Sequence, residues 1–238
     1  MKGTKPMNDL ISITNEINKI DISLNFGEIY FTTGEVFSAV YENVPEEDFE
    51  IKEEGDCLSI KDKRKGNVRL FGKKSEYSPV IRITVPTTHT FESIRLSSGA
   101  SEIHADTLTT HALSLKMGAG EFHIKECTVS DLASIESGAG EVHVGNGHIH
   151  NLNISSGAGE IHVQANLTGN TNISAGVGEI HLQLLGNPDD YSATISKGIG
   201  RICVSGFSSG NGMTYGSGPN HIKISGGVGE ICVDFLEI

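Results

Sequence analysis

The chain has no tryptophan, six prolines and four cysteines in 238 residues, and each scarcity excludes something. The cysteines, Cys57, Cys127, Cys203 and Cys232, form no Cys-x-x-Cys pair and are too few for a disulfide framework, so reduced thiols are expected. No run of about 18 apolar residues is present, which excludes a transmembrane helix. Residues 1–20 also lack the apolar stretch of a secretory signal. As it stands the sequence reads as soluble and cytoplasmic, the alternative being a soluble domain of an envelope-associated protein.

Basic residues are scarce in one half. Residues 1–100 carry 13 Lys/Arg against 16 Asp/Glu, whereas residues 101–238 carry 5 against 14, a balance of 5 − 14 = −9 within the overall −12. So acidic a surface repels phosphate backbones, which excludes nucleic acid as a partner of the second half and favours cations.

Glycine, by contrast, is abundant at 29 residues, about 12% against a usual ~7%. Its placement is periodic. Glu102, Glu121, Glu141, Glu160 and Glu179 recur at intervals of 19, 20, 19 and 19, each within a consensus Ile-Ser-x-Gly-Ala-Gly-Glu-Ile-His-Val. Two further copies, around Arg201 and Glu230, follow at wider spacing, giving about seven coils of 19–20 residues. Apolar residues alternate before the glutamate (Leu152, Ile154) and again after it (Ile161, Val163), but in the opposite parity. Parity switches only at a corner, and glycine supplies it. The corner residues are Gly118 and Gly120, Gly138 and Gly140, Gly157 and Gly159, Gly176 and Gly178.

A 19-residue coil cannot close a core alone, so copies must stack with a rise of about 4.8 Å per coil. The pattern predicts an all-β fold, a β-solenoid over 97–238 with a loop insertion at 205–219 that holds five Gly and four Ser. Residues 1–96 show strand patterns at 20–24, 28–31, 57–61, 68–71 and 80–85 without the clean period. They read as a β-rich N-terminal cap continuous with the solenoid, shielding the edge of its first coil.

The opening Ile20-Asp21-Ile22-Ser23-Leu24, then Phe26-Gly27-Glu28-Ile29, Cys57-Leu58-Ser59-Ile60, Ile81-Arg82-Ile83-Thr84-Val85-Pro86 and the Ser-Gly-x-Gly-Glu-Ile repeats resemble a bacterial putative-adhesin family of unknown function. This is the toast-rack type of stacked β-solenoid, and the likeness spans nearly the whole chain. The resemblance implies a bacterial protein, a solenoid, a link to the cell envelope or to envelope-stress regulation, and no catalytic residues. The expected function is a non-catalytic binding or scaffold module with a protein or envelope component as partner.

Stacking in register turns each repeat position into a row. The position two after the glutamate reads His104, His123, His143, His162, His181, Cys203, Cys232, every member a metal-ligand type. An alternative function is therefore a metal-binding or cation-buffering protein, with a divalent metal at His162, His181, Cys203 and Cys232. The competing reading is a polar exposed row that tolerates His. The glutamate row would face cations: like charges about 5 Å apart in water repel by roughly 0.8 kcal/mol per pair before screening. Protonated histidines or bound cations would offset this, and Arg201 would relieve the end of the row.

Other features are weaker. Lys61-Asp62-Lys63-Arg64-Lys65, with Arg69, Lys73 and Lys74, reads as a solvated turn or a basic patch for an anionic partner. The Gly-x-Gly strings precede no helix and no Lys-Ser/Thr, unlike phosphate loops. A polysaccharide-active β-helix enzyme, the third reading, would concentrate basic residues and Asp on one face, and residues 101–238 hold only Lys116, Lys125, Lys197, Arg201 and Lys223. The end of the chain, from Phe235, either caps the last coil or offers an edge to a second copy, a homo-oligomer.

Overall fold

A computed structural model describes residues 7–11, 13–44, 48–64, 78–205, 207–209 and 212–236. The strand expected at 68–71, the basic residues Lys65, Arg69, Lys73 and Lys74, and residues 237–238 lie outside them. The described residues contain β-strands and a 3-10 turn, Pro188–Asp190. No helix is long and apolar enough to cross a membrane.

The central element is β7, Phe91–Leu185, which runs 95 residues as nearly unbroken strand because it winds rather than ends. Its buried residues show how. In one turn Leu113, Leu115 and Met117 point inward, then Phe122 and Ile124, then Cys127 and Val129, so each coil presents three short apolar stretches separated by exposed corners. The apolar residues of all coils merge into one core. The protein is an all-β solenoid.

The corner is dictated by sequence. The second glycine of each Gly-x-Gly has a positive φ, for example +122° at Gly140 and +130° at Gly159. A Cβ there would also overlap the backbone carbonyl of the preceding coil, Gly120 beneath Gly140 and Gly140 beneath Gly159. Both the turn and the close approach require glycine.

The N-terminal region is more solenoid than expected. Strand β2, Lys19–Gly34, lies parallel to the start of β7 with Glu28 opposite Glu102 and Tyr30 opposite His104, so it is itself a coil of the stack. Beyond it β5, Cys57–Asp62, and β6, Val80–Pro86, pair in parallel with the first and second halves of β2 and together form a split coil. Among the described residues of this region, only β1 (Met7–Ile11), β3 (Ser38–Val44) and β4 (Phe49–Glu54) depart from the wind. They run antiparallel, β4 on β5, β3 on β6 and β1 on β3, and cover the end of the stack.

The other end does not follow chain order. Strand β8, Tyr191–Val204, does not pair with β7; β11, Asn220–Leu236, lies between them, parallel to both. The 3-10 turn carries the chain two rungs onward, and buried Tyr191 anchors the step by donating from its hydroxyl to the Leu185 carbonyl at 3.1 Å.

The insertion at 205–219 corrects the expectation of a loop. It turns back as β9, Phe207–Ser209, and β10, Gly212–Gly216, both antiparallel to β8. The outer edge of β8 would otherwise leave its amide and carbonyl groups unpaired, and these strands satisfy it. A second device sits inside. The inward position held by Met117, Ser137, Ser156 and Ala175 in β7 is Lys197 in β8, whose ammonium nitrogen is buried with no hydrogen-bond partner among the described residues. An inward charge on the end coil disfavours adding another rung.

Candidate functional site

The two outward rows follow directly from the wind. A residue two before another on a strand shares its face, so each coil sets a glutamate beside a histidine. The contacts are His104 Nε2 to Glu102 at 3.8 Å, His123 to Glu121 at 3.3 Å, His162 to Glu160 at 3.0 Å and His181 to Glu179 at 3.2 Å. His143 and Glu141, both described residues, make no such contact. In β2 the pair is Glu28 and Tyr30, whose hydroxyl donates to the Glu28 carboxylate at 2.8 Å.

Along the axis the rings stack. Centroids lie 5.2 Å apart for Tyr30 and His104, 5.5 Å for His104 and His123, 5.6 Å for His123 and His143, 6.0 Å for His143 and His162, and 4.9 Å for His162 and His181. The Arg82 guanidinium closes one end, 4.4 Å from the Tyr30 ring centroid. Partial burial, with His123 and His162 on either side, holds the His143 imidazolium less stable than usual and lowers its pKa, against the opposing pull of Glu141.

At the opposite end the row reads His181, then Cys232, then Cys203, because β11 precedes β8 in space. Of the four residues expected from sequence to share a metal, His162 is therefore two rungs from Cys232, while His181, Cys232 and Cys203 are consecutive. Sequence reasoning did not single out Glu230, which joins them. The Cys232 thiol donates to Glu230 Oε1 at 3.2 Å. One ligand atom each from Cys203, Glu230 and Cys232 lies within 4.8 Å of the other two. Burial, followed by the hydrogen bond to Glu230, pushes the Cys232 thiol up to about 12.

Arg201 ends the glutamate row. Its Nε donates to Glu230 at 3.1 Å, and this holds the Glu230 carboxyl below its ordinary value. The remaining thiols are elsewhere: Cys127 is buried in the core, which raises its pKa to about 12, and Cys57 begins β5. None of the four cysteines forms a disulfide.

A different face carries an open groove of about 860 Å³ crossing several coils. Hydroxyl and amide side chains line it, among them Ser134, Asn153, Asn172 and Ser174, with Lys116 and Lys223. Neighbouring coils reinforce one another here, as Asn172 Nδ2 donates to Asn153 Oδ1 at 3.0 Å. Glu136, the acidic residue of the lining, is bridged by Lys116 at 3.0 Å. Composition could have flagged this surface, since Ser and Asn recur at fixed repeat positions.

No curated protein matches this chain. Among solved structures it is similar to a putative cell adhesion protein from Clostridium sporogenes, with 19% identity and a TM-score of 0.41, covering 98% of this chain and 100% of that one. A putative adhesin from Bacteroides fragilis gives 17% and 0.36, covering 97% and 98%. A putative lipid binding protein from Parabacteroides distasonis gives 11% and 0.39, covering 98% of each. The family model of the Toastrack DUF4097 domain matches residues 17–209, from just before β2 to the end of β9, and the chain belongs to that family.

Proposed function

We propose that the protein is a non-catalytic binding scaffold, a soluble module that holds a component of the bacterial cell envelope against the side of its solenoid. The observation that carries this reading is the polar groove. Its hydroxyl and amide groups repeat from coil to coil on a backbone lattice with a spacing of about 4.8 Å, which suits an extended partner with its own periodic polar groups. The Lys116 bridge engages Glu136, so the groove lacks a free pair of carboxylates for acid and base roles. The named adhesins among the similar structures agree with a binding role for this chain.

Cosedimentation with purified envelope fragments tests the reading. The protein should pellet with them, and the groove variant Asn153→Arg/Asn172→Arg should stay in the supernatant while keeping its fold. Equal pelleting of the two proteins, or none by either, overturns the groove as the binding surface.

A further inference from the structure

Where the histidine row gives way to thiols, three donor groups meet on rungs that come from distant parts of the chain. Cys232 of β11 and Cys203 of β8 are directly opposed residues of neighbouring parallel strands, so both thiols leave the same face about 4.8 Å apart at the backbone. Glu230 stands two residues before Cys232 on that face. The ligand atoms of all three fall within 4.8 Å of one another. A tetrahedral zinc ion with Zn–S near 2.3 Å and Zn–O near 2.0–2.2 Å sets such atoms about 3.5–3.8 Å apart, a contraction within reach of side-chain rotation. His181 is opposite Cys232 on the next rung, and its Nε2 lies 3.2 Å from Glu179, the carboxylate–imidazole pairing that orients metal-binding rings.

We propose that Cys203, Cys232 and Glu230, with His181 on the adjoining rung, form a site for one thiophilic divalent ion of the zinc class. Charge supports the assignment. Two thiolates and a carboxylate bring −3, Arg201 bonded to Glu230 brings +1, and a divalent ion makes the cluster neutral. The Arg201 guanidinium thus occupies the flank of the site rather than its centre. Without metal the Cys232 proton is retained by its bond to the Glu230 carboxylate. On binding, both thiol protons pass to solvent as the two metal–sulfur bonds form.

The test uses the reduced full chain and zinc ion alone. One equivalent of Zn²⁺ should remove two thiols from reaction with a chromogenic disulfide, and Co²⁺ in its place should give a thiolate-to-metal charge-transfer band. Cys203→Ser and Cys232→Ser should each abolish the band, whereas Cys57→Ser should leave it unchanged. Glu230→Gln preserves side-chain volume and a hydrogen-bond acceptor, so it remains informative if a cysteine variant fails to fold. It should weaken zinc binding by at least about 10-fold, since losing a ligand costs no less than losing a group that only orients one. Thiols that stay fully reactive in excess zinc overturn the proposal. So does undiminished zinc affinity in the Cys203→Ser/Cys232→Ser protein, which would place the ion on the histidine row.

Discussion

The Gly169 amide donates to the Asn220 side-chain oxygen at 3.1 Å, joining residues 51 apart in the chain. This bond pins the first residue of β11 to the last coil of β7, and the Gly186 amide, donating to the Leu236 carbonyl at 3.0 Å, pins the other end. Between these two points β11 takes the place that β8 would hold if coils stacked in chain order. The neighbours of Cys232 follow from that exchange.

Glycine at the corner is the most demanding requirement of the wind. Gly159→Ala forces a side chain into φ +130° and onto the Gly140 carbonyl oxygen. The backbone strain alone costs about 1–3 kcal/mol, and the clash adds to it, so the variant should melt far below the parent or fail to fold. Gly55→Asn is the contrast, since φ is +65° and a Cβ meets nothing within 4 Å. Asparagine tolerates that region, and thermal unfolding should shift little.

Acidification should weaken the fold through His143. Its folded pKa lies below the ordinary 6.5, so between the two values the unfolded chain binds more protons. Stability from this group is full above about pH 6.5 and is lost as pH falls toward the folded value. His143→Gln should flatten that part of the stability–pH curve measured by urea unfolding. An unchanged curve would show that His143 is not the responsible group.

Arg201→Gln should act in a lower window. Arg201 depresses the Glu230 carboxyl below 4.5, which stabilises the native state above pH 4.5 and ceases to do so as pH falls through the depressed value. The variant should therefore be less stable than the parent at neutral pH and equal to it in strong acid. The difference should shrink in high salt, because both groups meet solvent.

The antiparallel strip β10 should govern association. Met213 and Tyr215 pack against the core, and the Tyr215 ring lies 5.0 Å from that of Phe235. Met213→Ser/Tyr215→Ser should loosen β10 and bare the edge of β8. Light scattering should then show more concentration-dependent association than in the parent.

Much of this architecture can be read from the residues, for a physical reason. A corner that only glycine can occupy and a core parity that reverses across it leave a repeating signature, so Gly140, Ile161 and the glutamate and histidine rows were identifiable without coordinates. The order of the last coils was not. Copies around Arg201 and Glu230 have the same parity and the same corner, and either fits against Glu179 equally well by pattern. The bonds that decide, from Gly169, Gly186 and Tyr191, come from residues outside the Gly-x-Gly-Glu motif. That the strands read at 20–24 and 28–31 form one coil of the stack, β2, is hidden for a similar reason: it stacks against Pro79 and the split coil, and Gly27 alone marks its corner. The Cys203, Glu230 and Cys232 cluster depends on the coil order, so it was legible only as a row of ligand types.

The displaced position of β11 has a consequence for how the protein is made. A ribosome delivers β8 before the strand that β8 rests on exists, so the coil around Arg201 can pair only with β9 and β10, and cannot join the stack, until Asn220–Leu236 has emerged. Earlier rungs can settle one by one behind the exit tunnel; the last two can only close together. A chain interrupted after Pro219 would lose two coils rather than one, and Cys203 would remain without the Glu230 and Cys232 that face it.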